Sequence, residues 1–452
     1  MKVHFIAIGG SAMHNLAIAL KINGFEVSGS DDEIFEPSKS RLEKYGLLPR
    51  QSGWHPEHIS SDLDFIILGM HARLDNPELI RAQEMGLKIY SYPEFLYEHS
   101  KNKKRVVIGG SHGKTTITAM VMHVLKYHHL DFDYLVGSKL RDFEVMVRLG
   151  NDAPFMVFEG DEYLSSPLDR RPKFHWYHPH LALVTGIAWD HINVFPTFEN
   201  YQEQFVKFVD LIESGGKVVY NTSDPNVKRI AENASGDIQK IPYGLPKYVI
   251  ENGTTFLMED ETYIPLKIFG KHNLMNLAGA QLLCEELGAS RHQFLEAIQS
   301  FEGASNRLEL VYQGKGGRLF KDFAHAPSKL QATLAAVREQ FPNQHLVACF
   351  ELHTFSSLNP EFLRQYQDAL SEADEAAVYF NPHALEIKRM QVLRSEEIKS
   401  AFGRDDLQVF DNSEAMLQWL QNRPNSDCVF LMMSSGNFNG IDLSELSKQL
   451  FE

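Results

Sequence analysis

A three-domain α/β fold is what the sequence predicts, and three observations carry it. Short apolar runs of strand type alternate with segments of helical period along the whole chain. Two breaks interrupt the alternation, a charged one at 101–105 and a small-residue one at 303–305. Two of the strands, 2–8 and 106–108, run directly into paired glycines that open a helix. Alternating strand and helix gives mostly parallel sheets. A chain of 452 residues divides into two to four domains at about 100–200 residues each.

The first domain, 1–101, opens with the strand 2–8, rich in β-branched and aromatic residues and ending at Gly9-Gly10. A helix over 12–22 stops at Gly24, strands follow at 25–29, 65–68 and 87–90, and 77–85 has helical period. The second domain, 102–303, restarts with the strand 106–108, then Gly109-Gly110 and a helix from Gly113 to Tyr127. Strands are expected at 155–158, 181–185 and 217–220, a hairpin within 247–268 turning at Asn252-Gly253, and helices at 273–287 and 290–300. The third domain, 304–452, repeats the theme with strands at 318–322, 345–350, 375–380 and 428–433.

Composition excludes several classes. Hydrophobic residues make up 43% and charged residues 23%, which is ordinary globular usage rather than disorder. A formal charge of -15 argues against a nucleic-acid partner, since neutralising phosphates takes a basic face. Cys284, Cys349 and Cys428 lie far apart and suit neither zinc nor a disulfide framework. No apolar stretch approaches the roughly 20 residues that span a bilayer, and the run after Met1 is too short for a secretory signal. A cytoplasmic protein with no membrane partner is expected. Oligomeric state stays open.

The segment that carries most chemistry is Gly109-Gly110-Ser111-His112-Gly113-Lys114-Thr115-Thr116. Between a strand and a helix, such glycines bring backbone N–H groups to phosphate oxygens, and the helix dipole favours the anion. Lys114 is placed for the β- and γ-phosphates and Thr115 for a Mg²⁺ ion. The loop is shorter than a full Walker loop, which wants a glycine where Ile108 stands. ATP and Mg²⁺ are the cofactors this predicts. Glu159-Gly160-Asp161-Glu162 follows a strand and offers hard oxygen ligands. His191, in Trp189-Asp190-His191, follows the next strand.

Further along, Gly270-Lys271-His272-Asn273-Leu274-Met275-Asn276 opens a helix. Asn273 and Asn276 share a face and have the donors and acceptors an adenine edge needs. Arg307 follows the second break, in reach of a γ-phosphate on domain closure. Asp322 ends a strand, where it suits a ribose hydroxyl, and His325 can face substrate. At the N-terminus, Gly9, Gly10, Ser11, Ala12 and Met13 form a second glycine turn, with Asp31 at the end of the next strand. That pattern suits a nucleotide diphosphate. It lacks G-x-G-x-x-G, which weakens a nicotinamide-dependent reading. Two nucleotide sites are thus expected, one for ATP and one for a nucleotide-linked substrate.

In their order, these motifs resemble those of the Mur ligase family, over 2–440. The resemblance implies three domains: a Rossmann-like domain for a UDP-sugar, a central P-loop ATPase with a mostly parallel sheet, and a Rossmann-like C-terminal domain. It implies an ATP-dependent ligase in which a carboxylate becomes an acyl phosphate and an amine then displaces phosphate. By motif, Lys114, Glu159 and His191 are catalytic, and Thr115, Glu159 and His191 hold metal. Gly110–Thr116, His272, Asn273, Asn276, Arg307 and Asp322 bind ATP. Gly9–Met13, Asp31, His71, Arg73 and His325 bind the UDP-sugar.

Phe205 stands where some members carry a carbamylated lysine, and its absence matches the branch that accepts UDP-N-acetylmuramic acid. Within that branch, Glu159–Tyr163 and the long 169–179 segment resemble the recycling enzymes. The expected amine is therefore the murein tripeptide L-alanyl-γ-D-glutamyl-meso-diaminopimelate, with L-alanine as the alternative. Lys321, Ala326, Asn193 and the 351–357 segment depart from the family pattern and bear on that choice. The non-ligase alternative is a nucleotide-binding regulatory switch, which would keep Lys114 and Thr115 without a UDP site.

Overall fold

The computed structural model describes residues 1–189, 194–314, 316–388, 390–391, 393–423 and 426–451. They form two compact units, 1–245 with 276–298, and 246–275 with 299–452. The helix Lys271–Glu286 carries residues of both.

In the first unit, four parallel strands run in the order Glu26–Ser30, Lys2–Ile6, Phe65–Leu68, Ile89–Ser91. The chain starts in an inner strand and builds outward to both sides, so its topological reversal lies beside Lys2–Ile6. Open α/β sheets bind ligands at such reversals, outside the carboxyl ends of the strands. The expected boundary at 101 falls between the helix Tyr92–Ser100 and the strand Lys104–Gly109.

A seven-stranded sheet follows, ordered Gln239–Tyr243, Lys217–Asn221, Leu181–Val184, Lys104–Gly109, Phe155–Glu159, Asp133–Leu135, Val147–Arg148. All neighbours are parallel except the last pair. Lys104–Gly109 is central and carries Val106, Val107 and Ile108 at 0% exposure, the continuous apolar run that a strand covered on both faces requires. The helix Phe198–Asp210 shows why the sequence folds as it does locally. Thr197 caps it by accepting from the Asn200 N–H. Tyr201, Phe205 and Phe208, spaced four and three apart, then lie on one buried face. Phe208 stacks on Phe174 at 4.6 Å between ring centroids.

In the second unit, Tyr248–Glu251, Thr254–Glu259 and Thr262–Leu266 form a three-stranded antiparallel sheet, one strand more than the hairpin expected from 247–268. Six strands then run in the order Glu309–Gln313, Gly317–Asp322, Cys428–Met433, His345–Leu352, Glu375–Phe380, Gln408–Phe410. Only the first pair is antiparallel. The edge strands Glu309–Gln313 and Gln408–Phe410 are absent from the sequence reading, because they are short and partly exposed and so lack a clean apolar run. No helix among the described residues is long and apolar enough to cross a membrane.

Candidate active site

The glycine loop leaves the central strand at Gly109 and enters the helix Lys114–Tyr127. Two glycines make it possible. Gly110 has φ +130°, and a Cβ there would sit 2.0 Å from Thr185 Oγ1. Gly113 has φ +78°, and a Cβ would sit 2.3 Å from Asn276 Oδ1. Both backbone angles disfavour any side chain. Gly113 is the residue before the helix, and no side chain caps its first turn, so its N–H groups face the loop, as an anion site requires. The Thr185 hydroxyl donates to the His112 carbonyl and ties the loop to the end of the neighbouring strand. Ser111 Oγ accepts from the Ala188 N–H at 2.9 Å, and Ser111 N donates to the Gly186 carbonyl at 2.9 Å.

The carboxylates of 159–162 gather at this loop, as the sequence predicts. Thr115 Oγ1 donates to Glu159 Oε1 at 2.8 Å, and Gly137 N donates to Glu159 Oε2 at 2.7 Å. Burial raises the Glu159 carboxyl above its usual range in spite of those two bonds. Lys114 Nζ donates to the Gly110 carbonyl at 2.6 Å and to Glu162 Oε2 at 2.7 Å. Burial works against the ammonium, but Glu162, Asp161 and Glu159 outweigh it and hold Lys114 above its ordinary range. Asp161 is paired with Lys173 at 2.6 Å. Burial would raise Asp161, yet the lysine pulls it down to about 2. This anchors the 161–173 segment, where Lys173 N donates to the Tyr163 carbonyl and Phe174 N to the Asp161 carbonyl.

A hydroxyl and a carboxylate, oxygen ligands both, fit a hard divalent cation such as Mg²⁺. Among the described residues no three His, Cys, Asp or Glu side chains form a metal cluster. A magnesium ion bound chiefly through substrate phosphates needs only one or two protein carboxylates. His191, expected with Glu159 to hold a second Mg²⁺, lies outside the described residues, as do Asp190 and Asn193.

In the four-stranded sheet, Gly9 N donates to Asp31 Oδ2 at 2.7 Å, so the second strand closes on the first glycine turn. Burial, with Asp32 nearby, pushes the Asp31 carboxyl up to about 6. Gly10 precedes the helix Ser11–Ile22, whose first turn also lacks a side-chain cap. Ser11 is exposed, Ala12 half-buried and Met13 buried. His71 and Arg73 follow the strand Phe65–Leu68 and are exposed, Arg73 bonding Asp75 at 3.1 Å. The expected UDP-sugar residues of this sheet thus leave the carboxyl ends of adjacent strands.

In the second unit the expected residues are already engaged. Asp322 is buried and accepts from Leu308 N at 2.6 Å, Ala324 N at 2.7 Å and Thr333 Oγ1 at 3.2 Å. Burial raises its carboxyl, against the pull of Arg307. Arg307 stands 4.7 Å over the Phe323 ring. Asn273 Nδ2 donates to the Phe269 carbonyl at 3.0 Å, and burial lowers His272 below its usual range. His325 Nδ1 lies 2.9 Å from the Phe323 carbonyl. Three residues of the phosphate-loop region carry no role in the sequence reading: Tyr201, Thr185 and Gly137. Tyr201 reads as core because it falls on the apolar stripe with Phe205 and Phe208.

The loop makes a steric prediction. Gly110→Ala forces the alanine Cβ into Thr185, and the loop must move. A displacement of about 1 Å at reacting groups costs on the order of a hundredfold. Steady-state kinetics should show that loss in kcat/KM for ATP, and the melting temperature should fall by a few degrees, since alanine at a positive φ also costs stability.

A glycine loop with its lysine at a central strand, carboxylates on the adjoining strand, and a second glycine turn in a separate parallel sheet define a class of ATP-using α/β enzyme. Comparison with known proteins places the chain within it. Residues 2–104 match the family model described as Mur ligase family, catalytic domain. Residues 108–284 match the Mur ligase middle domain, and 306–436 the Mur ligase, glutamate ligase domain. A protein of Sulfurihydrogenibium sp. named UDP-N-acetylmuramate–L-alanine ligase is 31% identical over 80% of this chain and 78% of its own. One of the same name from Carboxydothermus hydrogenoformans is 27% identical over 99% of this chain and 97% of its own. The crystal structure of UDP-N-acetylmuramate-alanine ligase from Thermotoga maritima superposes with a TM-score of 0.72 at 23% identity, covering 100% of this chain and 98% of that one. Solved structures at that identity, a murein peptide ligase among them, show the fold alone.

The chain belongs to the Mur ligase family and is an ATP-dependent ligase that forms amide bonds. The tripeptide expectation is corrected by the same comparison: the relatives matching most of the chain are named for L-alanine. The 169–179 segment, one of the local features that suggested a tripeptide, has a structural use. Asp169 accepts from Arg171 Nε at 3.0 Å and from Trp176 Nε1 at 2.9 Å, and the segment seats Phe174 in the core.

Proposed function

We propose that the chain joins the carboxylate of UDP-N-acetylmuramate to the amine of L-alanine at the expense of ATP. The observation that supports it best is the Lys114–Thr115–Glu159 arrangement on the glycine loop, in a chain whose full-length relatives carry that activity in their names. Gly110–Thr116 hold the triphosphate through backbone N–H groups, and Asn276 lies against the loop at Gly113. Thr115 and Glu159 would hold one Mg²⁺ and Glu159 with His191 a second; bound there, the ions would supply positive charge to the phosphate oxygens. Gly9–Met13, Asp31, His71 and Arg73, all in the first unit, hold the UDP-sugar.

The chemistry follows from charge. A substrate carboxylate oxygen bonds to the γ-phosphorus and ADP departs, leaving an acyl phosphate. The amine nitrogen then bonds to the acyl carbon and inorganic phosphate departs with the bonding pair. Phosphoryl transfer asks the protein mainly for positioning and charge neutralisation, which Lys114 supplies at the loop. A reaction that consumes ATP fits a cytoplasmic enzyme.

Phosphate release tests the assignment. It is expected with UDP-N-acetylmuramate, ATP, Mg²⁺ and L-alanine together, and with no three of them. Release that ignores L-alanine and requires the tripeptide would overturn it. Release from ATP alone, unaffected by the UDP-sugar, would point to a switch rather than a ligase.

A further inference from the structure

We infer that Tyr201 and Glu162 are a positioning pair that fixes the ammonium of Lys114 for the transferring phosphate. The inference rests on the reading of Lys114 as the lysine that meets that phosphate, and it brings in Tyr201, which the sequence reading leaves in the core, and gives Glu162 a use other than holding metal.

The geometry is a buried chain. Glu162 is 1% exposed and Tyr201 0%. The Tyr201 hydroxyl donates to Glu162 Oε1 at 3.0 Å, and Lys114 Nζ donates to Glu162 Oε2 at 2.7 Å. Each carboxylate oxygen therefore has its own partner on opposite sides, which resists rotation of the group. The tyrosine is itself anchored. Its ring packs edge-on against Phe205 at 5.2 Å, and its oxygen lies 3.0 Å from Ser111 Oγ. Ser111 is part of the phosphate loop, and its Oγ also lies 2.8 Å from the Ala188 carbonyl. The helix Phe198–Asp210, the loop and the 159–162 carboxylates thus meet at one hydroxyl.

An ammonium has three N–H donors. Among the described residues, two of those on Lys114 go to acceptors fixed to the scaffold, the Gly110 carbonyl and Glu162. The third is aimed by the other two. A lysine held this way contributes a fixed dipole rather than a flexible charge, and preorganised charge is what stabilises a transition state most. A carboxylate this deeply buried is costly unless paired. Its retention next to the lysine is consistent with a positioning use. The arrangement has a second consequence. Glu162 places negative charge beside the triphosphate, so it opposes ground-state binding while it aligns the lysine. Removing the charge should then tighten nucleotide binding and slow turnover together, the opposite of what loss of structure does.

The test compares Tyr201→Phe, Glu162→Gln, their combination and Lys114→Ala in the full chain. Nucleotide affinity is measured by calorimetry with ADP and turnover by phosphate release. Tyr201→Phe is expected to lower kcat about tenfold with ADP affinity within twofold of wild type, since only the aim is lost. Glu162→Gln is expected to lower kcat at least tenfold while ADP binds as tightly or more tightly. The double variant should fall no further than Glu162→Gln, as residues acting through one contact do. Both substitutions keep side-chain shape, and circular dichroism melting checks the fold. Wild-type kcat in Tyr201→Phe and Glu162→Gln, with Lys114→Ala inactive, would overturn the pair and leave the phosphate loop standing. Weaker ADP binding with unchanged kcat would overturn it as well. Wild-type turnover in Lys114→Ala would sink the phosphate-loop reading and the pair with it.

Discussion

Lys114→Ala should lower kcat/KM for ATP by about a thousandfold or more, a loss of the size seen when one preorganised charge partner is removed from a developing anion. The reason lies in where the charge sits. Lys114 opens a helix whose first turn is uncapped, on a loop whose two positive-φ glycines bring the backbone close. Truncation removes the only side chain of the loop that carries a permanent positive charge. It also leaves Glu162 buried beside the phosphates without its cation, so repulsion adds to the lost attraction. Lys114→Arg should not rescue activity. Its planar fork has a fixed donor geometry and cannot reproduce bonds to the Gly110 carbonyl and Glu162 from one nitrogen while serving a phosphate. Phosphate release as a function of ATP concentration, with the other substrates saturating, measures the effect, and melting curves show whether the fold is retained. Near wild-type turnover in Lys114→Ala would reject the mechanism.

The parts of this site that the sequence reveals are those where one residue type has one physical use. A Gly-Lys-Thr run between strand and helix reads as a phosphate loop because few alternatives satisfy the backbone. Glu159 reads as a ligand because it ends a strand on the same sheet edge. Tyr201 does not read at all. Its spacing from Phe205 and Phe208 is that of a core stripe, and nothing in a linear pattern tells which buried tyrosine turns its hydroxyl to a carboxylate 39 residues away. The fold follows the same rule. Strands covered on both faces, such as Leu181–Val184 and Cys428–Met433, are continuous apolar runs, fully buried. Gln239–Tyr243 at a sheet edge is polar and half-exposed, and it escapes pattern reading. The tripeptide expectation fails for a related reason. Tyr163 and the 169–179 segment are local features, and local resemblance cannot distinguish a substrate contact from a loop that seats a core phenylalanine.

The strongest stability effect is expected at Asp133, far from any motif. Asp133 Oδ2 accepts from Lys103 Nζ at 2.5 Å, and Asp133 Oδ1 from the Gly150 N–H at 2.6 Å. Lys103 also donates to the Gly150 carbonyl. The two charged side chains are 7% and 0% exposed. Lys103 stands just before the central strand Lys104–Gly109, and Asp133 opens the strand Asp133–Leu135, so the pair pins the start of the strand that carries the phosphate loop. Breaking a buried pair by removing one partner costs about 3–5 kcal/mol, because the remaining charge stays desolvated. Asp133→Ala should therefore lower the melting temperature of the unit that holds it by about 10 °C, at roughly 2–4 °C per kcal/mol for a unit of this size. Replacing both residues, as Lys103→Met with Asp133→Val, should recover much of that loss, since an apolar pair close to the original volume carries no desolvation cost. The Gly150 backbone groups set the limit of recovery, because the double variant leaves them without their present partners. Differential scanning calorimetry on the single and double variants separates the two contributions. A single variant as stable as wild type would mean that water reaches the Lys103 ammonium and that the pair is not buried in solution.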